Sequence, residues 1–112
     1  MSIRVILHGK VKDAAAWRDL SARATAAAKD EPGTTGYRWY LGDDGTFVSE
    51  DVYADEAAFF AHIGAMTESG RMDEFMAGMD LAGVLVLDPV NDEMKEAAKA
   101  FNAVHLAMID GF

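Results

Sequence analysis

Hydrophobic and polar positions alternate from the start of the chain, which predicts a strand over Ile3–Val11. Because successive strand residues point to opposite faces, the alternation divides this strand into two sets: Ile3, Val5 and Leu7 against Arg4, Ile6 and His8. The period then lengthens to that of a helix, which Asp13 can cap and which is expected to run to about Asp30. The buried stripe predicted for this helix comprises Trp17, Leu20, Ala24 and Ala27.

A β-hairpin is predicted to follow the first helix. Pro32-Gly33 ends that helix, because proline cannot continue it and glycine tolerates left-handed backbone angles. Tyr37–Leu41 and Phe47–Tyr53 are rich in the aromatic and β-branched residues that favour strands. The segment between them, Gly42-Asp43-Asp44-Gly45, has the composition of a turn and therefore predicts that the two strands pair.

The second half of the chain is predicted to hold further helices and one more strand. Asp55 offers an N-cap to a helix over about Glu56–Ala65, and helical spacing resumes over Arg71–Met79. The stripe expected to be buried on the first of these is Phe59, Ile63 and Met66. Leu81–Leu87 is apolar with almost no polar alternation, which indicates a strand buried on both faces. A last helix is expected from about Asp92 to Ile109.

The resulting β-α-β-β-α-β order predicts an α+β, ferredoxin-like fold with an antiparallel sheet and an added C-terminal helix. We expect a single domain over residues 1–112, with a core over 1–88 and a helical extension over 89–112. Two helices cover only one sheet face, so the other face needs a cover. Either the last helix or a second copy could supply it, and two sheets packed face to face would form a dimeric α+β barrel. The last helix could otherwise clasp a partner or extend the helical layer.

The composition of the chain argues against some classes of binding partner. The 112 residues include 19 acidic and 10 basic side chains, a net charge of −9, and no basic cluster. Nucleic acid and anionic membranes are therefore unfavourable partners. The absence of cysteine excludes disulfides and thiolate nucleophiles. No apolar run approaches the roughly 20 residues of a membrane helix, and no export sequence is recognisable, so a cytoplasmic location is expected.

The segment from Glu31 to His62, EPGTTGYRWYLGDDGTFVSEDVYADEAAFFAH, resembles the antibiotic biosynthesis monooxygenase-like family of dimeric α+β barrels, of the quinol monooxygenase type. The features that carry the resemblance are the turn Glu31-Pro32-Gly33, the aromatic second strand, the step Asp51-Val52-Tyr53, and a histidine nine residues after Tyr53. The resemblance covers about Ile3–Leu87. It implies a homodimer whose cavity binds a small aromatic molecule.

The same resemblance implies cofactor-independent oxidation of a phenol or quinol by molecular oxygen. Two departures from the family pattern bear on this. The acid at the strand step is commonly glutamate, whereas this chain has Asp51 there. The haem-degrading branch uses an asparagine on the first strand and a tryptophan at the position of Tyr53, so haem degradation is disfavoured. Three scattered histidines do not have the spacing of metal ligands, and no cofactor is expected.

His62 is the candidate catalytic residue. It follows Phe59 by three residues and so falls at the edge of the apolar stripe of the second helix. Histidine suits a base for a phenolic substrate because its unperturbed pKa of about 6.5 lies near neutral pH. The alternative is a half-buried histidine bonded to a backbone carbonyl.

Five further side chains are candidates for substrate binding: His8, Trp39, Asp51, Tyr53 and Phe59. His8 would line the pocket only if its face of the first strand looks into the barrel. Trp39 and Tyr53 could stack on a flat ligand, although strand aromatics are more often core. Asp51 shares a strand face with Tyr53, and burial would raise its pKa; the alternative is a surface acid or an acid paired with Arg38.

Three functions remain open from the sequence. The first is a small cofactor-independent monooxygenase in which His62 helps to remove a proton from the substrate. The second is a non-catalytic dimeric binding module for a small apolar or aromatic ligand. The third is an isomerase or decarboxylase on the same scaffold, because one fold can host several chemistries.

Overall fold

A computed structural model describes residues 2–88 and 90–112. Its helices and strands, in chain order, are β1 Ile3–Val11, α1 Ala14–Ala28, β2 Thr34–Leu41, β3 Thr46–Tyr53, α2 Glu56–Glu68, α3 Arg71–Ala77, β4 Met79–Leu87, α4 Asp92–Lys99 and β5 Val104–Leu106. The sheet order is β2-β3-β1-β4-β5, with antiparallel pairing throughout except for the parallel pair β4 and β5. The predicted α+β, ferredoxin-like fold is therefore confirmed.

The helices begin where the sequence provides side-chain caps. The carboxylate of Asp13 accepts a hydrogen bond from the amide of Ala16, and that of Asp55 accepts one from Ala58. Each bond satisfies a backbone N–H that has no partner within its helix. The cap at Asp55 fixes the start of α2, and so sets which residues of that helix face the sheet.

The helix-covered face of the sheet holds a core of two clusters. One cluster centres on Trp17, Phe47 and Phe75, which lie in mutual aromatic contact. The other contains Ile3, Val5, Tyr53, Phe59, Val84, Val86 and Met94. Of the stripe predicted for the first helix, Trp17, Leu20 and Ala24 are buried, and Ala28 is buried where Ala27 was expected.

The C-terminal segment differs from its prediction. The expected helix to Ile109 ends at Lys99, and Val104–Leu106 instead forms a strand parallel to β4. Asn102 has a φ of 55°, a left-handed conformation that asparagine tolerates and that a helix cannot contain. The free edge of β4 then provides hydrogen-bonding groups for the following residues.

Helix α4 packs on the same sheet face as α1, α2 and α3. Its Met94 is fully buried, with an exposed fraction of 0%, in the cluster that contains Tyr53 and Phe59. Of the placements considered from the sequence, α4 thus extends the helical layer. The opposite sheet face, here called the outer face, has no covering element in the described part of the chain. Its apolar members on the three central strands are half-buried: Ile6, Val48, Val52, Leu85 and Leu87. Those on the edge strands are exposed: Tyr40, Val104 and Leu106.

The prediction that the fourth strand is buried on both faces is wrong for the single chain. Val84 and Val86 are buried beneath the helices, whereas Leu85 and Leu87 lie on the outer face and are only half-buried. No helix in the described residues is both long enough and apolar enough to cross a membrane.

Candidate active site

A cavity lies between the sheet and the helices α2 and α3, with the segment after α4 at one end. The space within the cavity and outside its open mouth amounts to about 670 Å³, part of which is open solvent. Its walls are mostly apolar, with Phe59, Met66, Met72 and Phe101 among them. The polar groups on its walls come from Ser49, Asp51, Tyr53, Tyr37, Trp39 and His62. The cavity is thus formed within one protomer, under the helices, rather than between two sheets.

His62 lies on the cavity-facing side of α2. Its exposed fraction is 2%, so the ring is more deeply buried than its neighbour Ile63, which the sequence pattern had placed in the stripe. The ring packs edge-on against Tyr37, with centroids 5.3 Å apart, and lies 5.7 Å from the ring of Tyr53. These two aromatic rings, from β2 and β3, restrict the orientation of the imidazole.

Glu31 binds the first ring nitrogen of His62. Its Oε1 lies 2.7 Å from Nδ1, a short distance typical of a hydrogen bond to a charged group. The same oxygen accepts a hydrogen bond of 2.9 Å from the hydroxyl of Thr34. Sequence reasoning used Glu31 only as part of a turn. The sequence does show an acid directly after the first helix, but only the tertiary fold shows that this acid contacts α2.

The second ring nitrogen of His62 faces Asp51. Nε2 lies 3.9 Å from Asp51 Oδ2, too far for a hydrogen bond, and has no hydrogen-bond partner among the described residues. Asp51 Oδ2 instead accepts a bond of 2.9 Å from the hydroxyl of Tyr53. A buried imidazole nitrogen without a partner is costly in a folded protein, and it marks a place where a ligand atom could bind.

Burial sets the protonation behaviour of the groups around His62. It raises the pKa of Asp51 from 3.8 to about 6, against the opposing effects of His62 and the Tyr53 hydroxyl. It also raises the pKa of Tyr53 well above its usual value of 10, with Asp51 adding to the effect. Burial and Asp51 likewise raise the pKa of Tyr37. Both phenols therefore stay neutral near pH 7, whereas Asp51 can change its protonation state.

Trp39 supplies a second unpaired polar atom. Its indole Nε1 is buried without a hydrogen-bond partner in the described residues, while its ring packs against Trp17 and Phe75. Indole nitrogen only donates, and an unprotonated imidazole nitrogen only accepts. Two polar atoms at the cavity wall thus have no partner in the described residues: the indole N–H, which is a donor, and Nε2 of His62, whose role depends on the tautomer.

The structure brings most of the predicted site residues together and separates one. His62, Asp51, Tyr53, Trp39 and Phe59 all line the cavity. His8 lies on the outer face, opposite Val48 and Gly83 in the neighbouring strands, and is absent from the cavity wall. Tyr37 was not singled out for the site, although its two-residue spacing from Trp39 places it on the same strand face.

The acid on the opposite face of β3, Glu50, forms salt bridges and does not line the cavity. Glu50, next to Asp51 in sequence, lies on the outer face, where it pairs with Arg38 at 2.9 Å and Arg4 at 3.5 Å. The one-residue step along β3 therefore separates a structural acid from an acid that lines the cavity. Within residues 2–88 and 90–112, no group of three His, Asp or Glu side chains is arranged to hold a metal ion.

These groups can carry out acid–base chemistry on a ligand in an apolar enclosure. A histidine with one bound and one free nitrogen can take a proton, and a buried carboxyl beside it can hold or return one. The rings of Tyr37, Trp39 and Tyr53 contribute flat aromatic groups to the cavity wall.

Several solved structures share the α+β, ferredoxin-like fold of this chain. MupZ from Pseudomonas fluorescens superposes with a TM-score of 0.87 at 14% identity, covering 99% of this chain and 93% of that chain. Rv0793 from Mycobacterium tuberculosis gives a TM-score of 0.68 at 22% identity, covering 82% and 98% of the two chains. SnoaB, a cofactor-independent oxygenase from Streptomyces nogalater, gives 0.68 at 16% identity, covering 80% and 94%.

Sequence comparison places the chain in a family. No curated protein matches it significantly. The family model for antibiotic biosynthesis monooxygenase matches residues 7–77, more than half of the chain and nearly all of the cavity wall contributed by β2, β3, α2 and α3. The resemblance inferred from the turn, the strand step and His62 is thereby confirmed: the chain belongs to the antibiotic biosynthesis monooxygenase family.

Proposed function

We propose that the protein is a cofactor-independent monooxygenase that oxidises a small phenol or quinol with molecular oxygen. The observation that carries the proposal is the unpaired Nε2 of His62, buried at the wall of an apolar cavity. Membership of the family and the fold shared with SnoaB, itself a cofactor-independent oxygenase, support the reaction class.

His62 is the proposed catalytic base. A phenolic substrate gives a proton to Nε2, and the resulting electron-rich anion transfers electrons to oxygen. One oxygen atom bonds to a ring carbon that carries hydrogen, the O–O bond breaks, and the other oxygen leaves as water after receiving the proton from His62 and one from that carbon. The CH₂ group of an anthrone, the keto form of a phenol, becomes a carbonyl in this way, and a hydroquinone becomes a hydroxyquinone. The substrate itself supplies the electrons, and the proton held by His62 returns to the departing oxygen.

The remaining cavity residues are proposed to bind and orient the substrate. Trp39 and Tyr53 provide flat surfaces for an aromatic ring, and Phe59 adds an apolar contact. Asp51, 3.9 Å from Nε2, stabilises the positive charge that forms on His62 when it takes the proton. The apolar walls exclude water, which would otherwise compete for the anion.

We also propose that two copies pair through the outer face to form a dimeric α+β barrel. The half-buried apolar residues there, including Ile6, Val48 and Leu85, would leave water on pairing. One sheet face of an antiparallel sheet often remains in water, but it then carries mostly polar side chains. In this arrangement His8, on the same face, belongs to the subunit interface and not to the cavity.

Aerobic and anaerobic incubation of the protein with hydroquinones and anthrones, followed by product analysis, tests the proposal. We expect product only when both oxygen and the protein are present, and much less product with His62→Ala. Saturable binding of the same compounds without turnover would contradict the monooxygenase and favour the binding module. Oxygen-independent conversion of the compound would favour an isomerase or decarboxylase instead.

A further inference from the structure

We infer that Glu31 is a positioning residue: it holds His62 in the tautomer protonated at Nδ1 and so leaves Nε2 as the free base at the cavity. The catalytic consequence of this inference rests on the proposed monooxygenase function. The tautomer itself does not, because it follows from the contacts of His62 in the protein without ligand.

Hydrogen-bonding capacity decides the tautomer. An ionised carboxylate only accepts hydrogen bonds, so across the 2.7 Å between Glu31 Oε1 and His62 Nδ1 the imidazole must be the donor. A neutral imidazole carries one N–H. With that hydrogen on Nδ1, the nitrogen at the cavity, Nε2, has a free lone pair.

The opposite tautomer would be unfavourable at both nitrogens. The lone pair of Nδ1 would face a carboxylate oxygen at 2.7 Å, and the N–H of Nε2 would lie 3.9 Å from Asp51 Oδ2, beyond hydrogen-bond distance. Of the two neutral tautomers, only the one with the hydrogen on Nδ1 provides a donor for the 2.7 Å contact with Glu31. Glu31 thus selects which nitrogen can receive a proton from the substrate.

The turn that ends α1 is built to hold the carboxylate in this place. The Glu31 amide donates to the carbonyl of Ala28 at 3.1 Å, and the Glu31 carbonyl accepts from the amide of Thr34 at 3.2 Å. The Thr34 hydroxyl adds a third contact, to the Oε1 atom that binds His62. Backbone and side chain of Glu31 are therefore fixed by the same short segment, and Pro32 keeps that segment from continuing as helix.

Nitrogen-15 NMR of the histidine ring in the ligand-free protein tests the tautomer directly. We expect His62 of the wild type to be protonated at Nδ1 alone. In Glu31→Met the acceptor is lost and Asp51 becomes the nearest acceptor, so we expect the hydrogen to move to Nε2. The inference is overturned if wild-type His62 carries a hydrogen on Nε2, either alone or together with one on Nδ1, a result that stands even where Glu31→Met does not fold. It is also overturned if the variant folds and its tautomer is unchanged.

Asp30→Asn is the matched control. Asp30 is the exposed neighbour of Glu31, so this variant removes a negative charge at the same turn without touching His62. We expect it to keep the wild-type tautomer. If Asp30→Asn changed the tautomer as much as Glu31→Met, the cause would be the charge of the turn and the proposed contact would be wrong.

Steady-state kinetics separate the positioning role from a merely structural one. For a substrate that turns over, Glu31→Met should lower kcat roughly 10- to 100-fold, by analogy with loss of the hydrogen-bond partners of metal-binding histidines, with KM little changed. Glu31→Gln should recover part of kcat because its amide oxygen can still accept from Nδ1. An equal kcat in wild type and Glu31→Met would overturn the role. If no substrate turns over, the proposed function fails while the NMR result still decides the tautomer.

Discussion

His62 Nε2 and Asp51 Oδ2 face each other across 3.9 Å with no hydrogen bond between them, although both side chains are buried. His62 is bound by Glu31 at its other ring nitrogen, Nδ1, whereas Asp51 is bound by the Tyr53 hydroxyl at the same oxygen, Oδ2, that faces His62. Glu31 and Tyr53 thus hold the two side chains near each other, and Nε2 is left without a hydrogen-bond partner in the described residues. A base and a titratable acid thus share one wall of an apolar cavity.

The raised pKa of Asp51 predicts a specific dependence of stability on pH. A pKa of about 6 in the folded state, against 3.8 for the ordinary group, means that the folded state binds more protons than the unfolded chain between these values. The Asp51 contribution to stability therefore falls as pH rises from about 4 to about 6, and its cost is fully present above that window.

Asp51→Asn removes this contribution. The free energy of unfolding of the variant, relative to wild type, should rise by roughly 3 kcal/mol as pH increases across the window. Urea titrations at several pH values measure this difference. Asp43→Asn, in the exposed turn of the hairpin, is the control and should follow the wild-type curve. Parallel curves for Asp51→Asn and wild type would contradict the buried, titrating Asp51.

Tyr53→Phe tests the hydrogen bond that holds Asp51. The Tyr53 side chain is 1% exposed and its hydroxyl donates to Asp51 Oδ2 at 2.9 Å. Since a bond to a charged acceptor contributes about 1.5–3 kcal/mol, the variant should lose stability in that range at neutral pH. Its loss should be smaller in an Asp51→Asn background, because the charged acceptor is then absent. The same loss in both backgrounds would show that the bond is not the cause.

Two glycines give a matched test of the packing beside the site. A Cβ on Gly33 would overlap the Cβ of Ala58, at the point where the turn after α1 meets α2. Gly33→Ala should therefore destabilise the protein by about 1–3 kcal/mol through overpacking. Gly64, in α2, has no atom within 4 Å of its added Cβ, so Gly64→Ala should stabilise by up to about 1 kcal/mol.

Thermal or urea unfolding of both variants measures the contrast. Equal and small effects at Gly33 and Gly64 would mean that α2 does not approach the turn closely. That close approach also sets the distance from Glu31 to His62, so the result bears on the site as well as on stability.

The proposed dimer predicts a charge-sensitive outer face. Val48→Asp would place a charge among the half-buried residues that pairing would cover, and it should convert a dimer to monomers in analytical ultracentrifugation. Ala22→Asp, on the exposed side of α1, should leave the mass unchanged. A wild-type protein that sediments as a monomer at all concentrations would exclude the barrel.

Strong local periodicity explains which parts of the fold could be predicted. The alternation in β1, the turn between β2 and β3, and the caps at Asp13 and Asp55 each specify their element locally. The last helix was predicted too long because Phe101 and Val104 fit a helical period, whereas Phe101 packs at the cavity wall and Val104 pairs with the edge of β4. No local pattern reveals that edge.

The candidate site was predicted in part for the same reason. The alternation in β3 places Asp51 and Tyr53 on one strand face, and helical spacing places His62 beside the apolar stripe of α2. The structure brings these three residues together at the cavity wall. The bond from Glu31 to His62 joins residues 31 apart in sequence, so only the packing of α2 against the turn reveals it. The face of His8 could not be assigned until the sheet showed which side the helices cover.

Reaction under isotopically labelled oxygen gas, with the label measured in the product, tests most directly whether His62 is the base of a monooxygenase. With an anthrone or hydroquinone that is turned over, wild type should place one labelled oxygen atom in the product. His62→Gln should lower kcat by about 10²- to 10⁴-fold, the range for loss of a general base. His105→Gln, a histidine outside the cavity wall, should retain wild-type activity. Labelled product formed equally fast by His62→Gln, or product without label, would contradict the account.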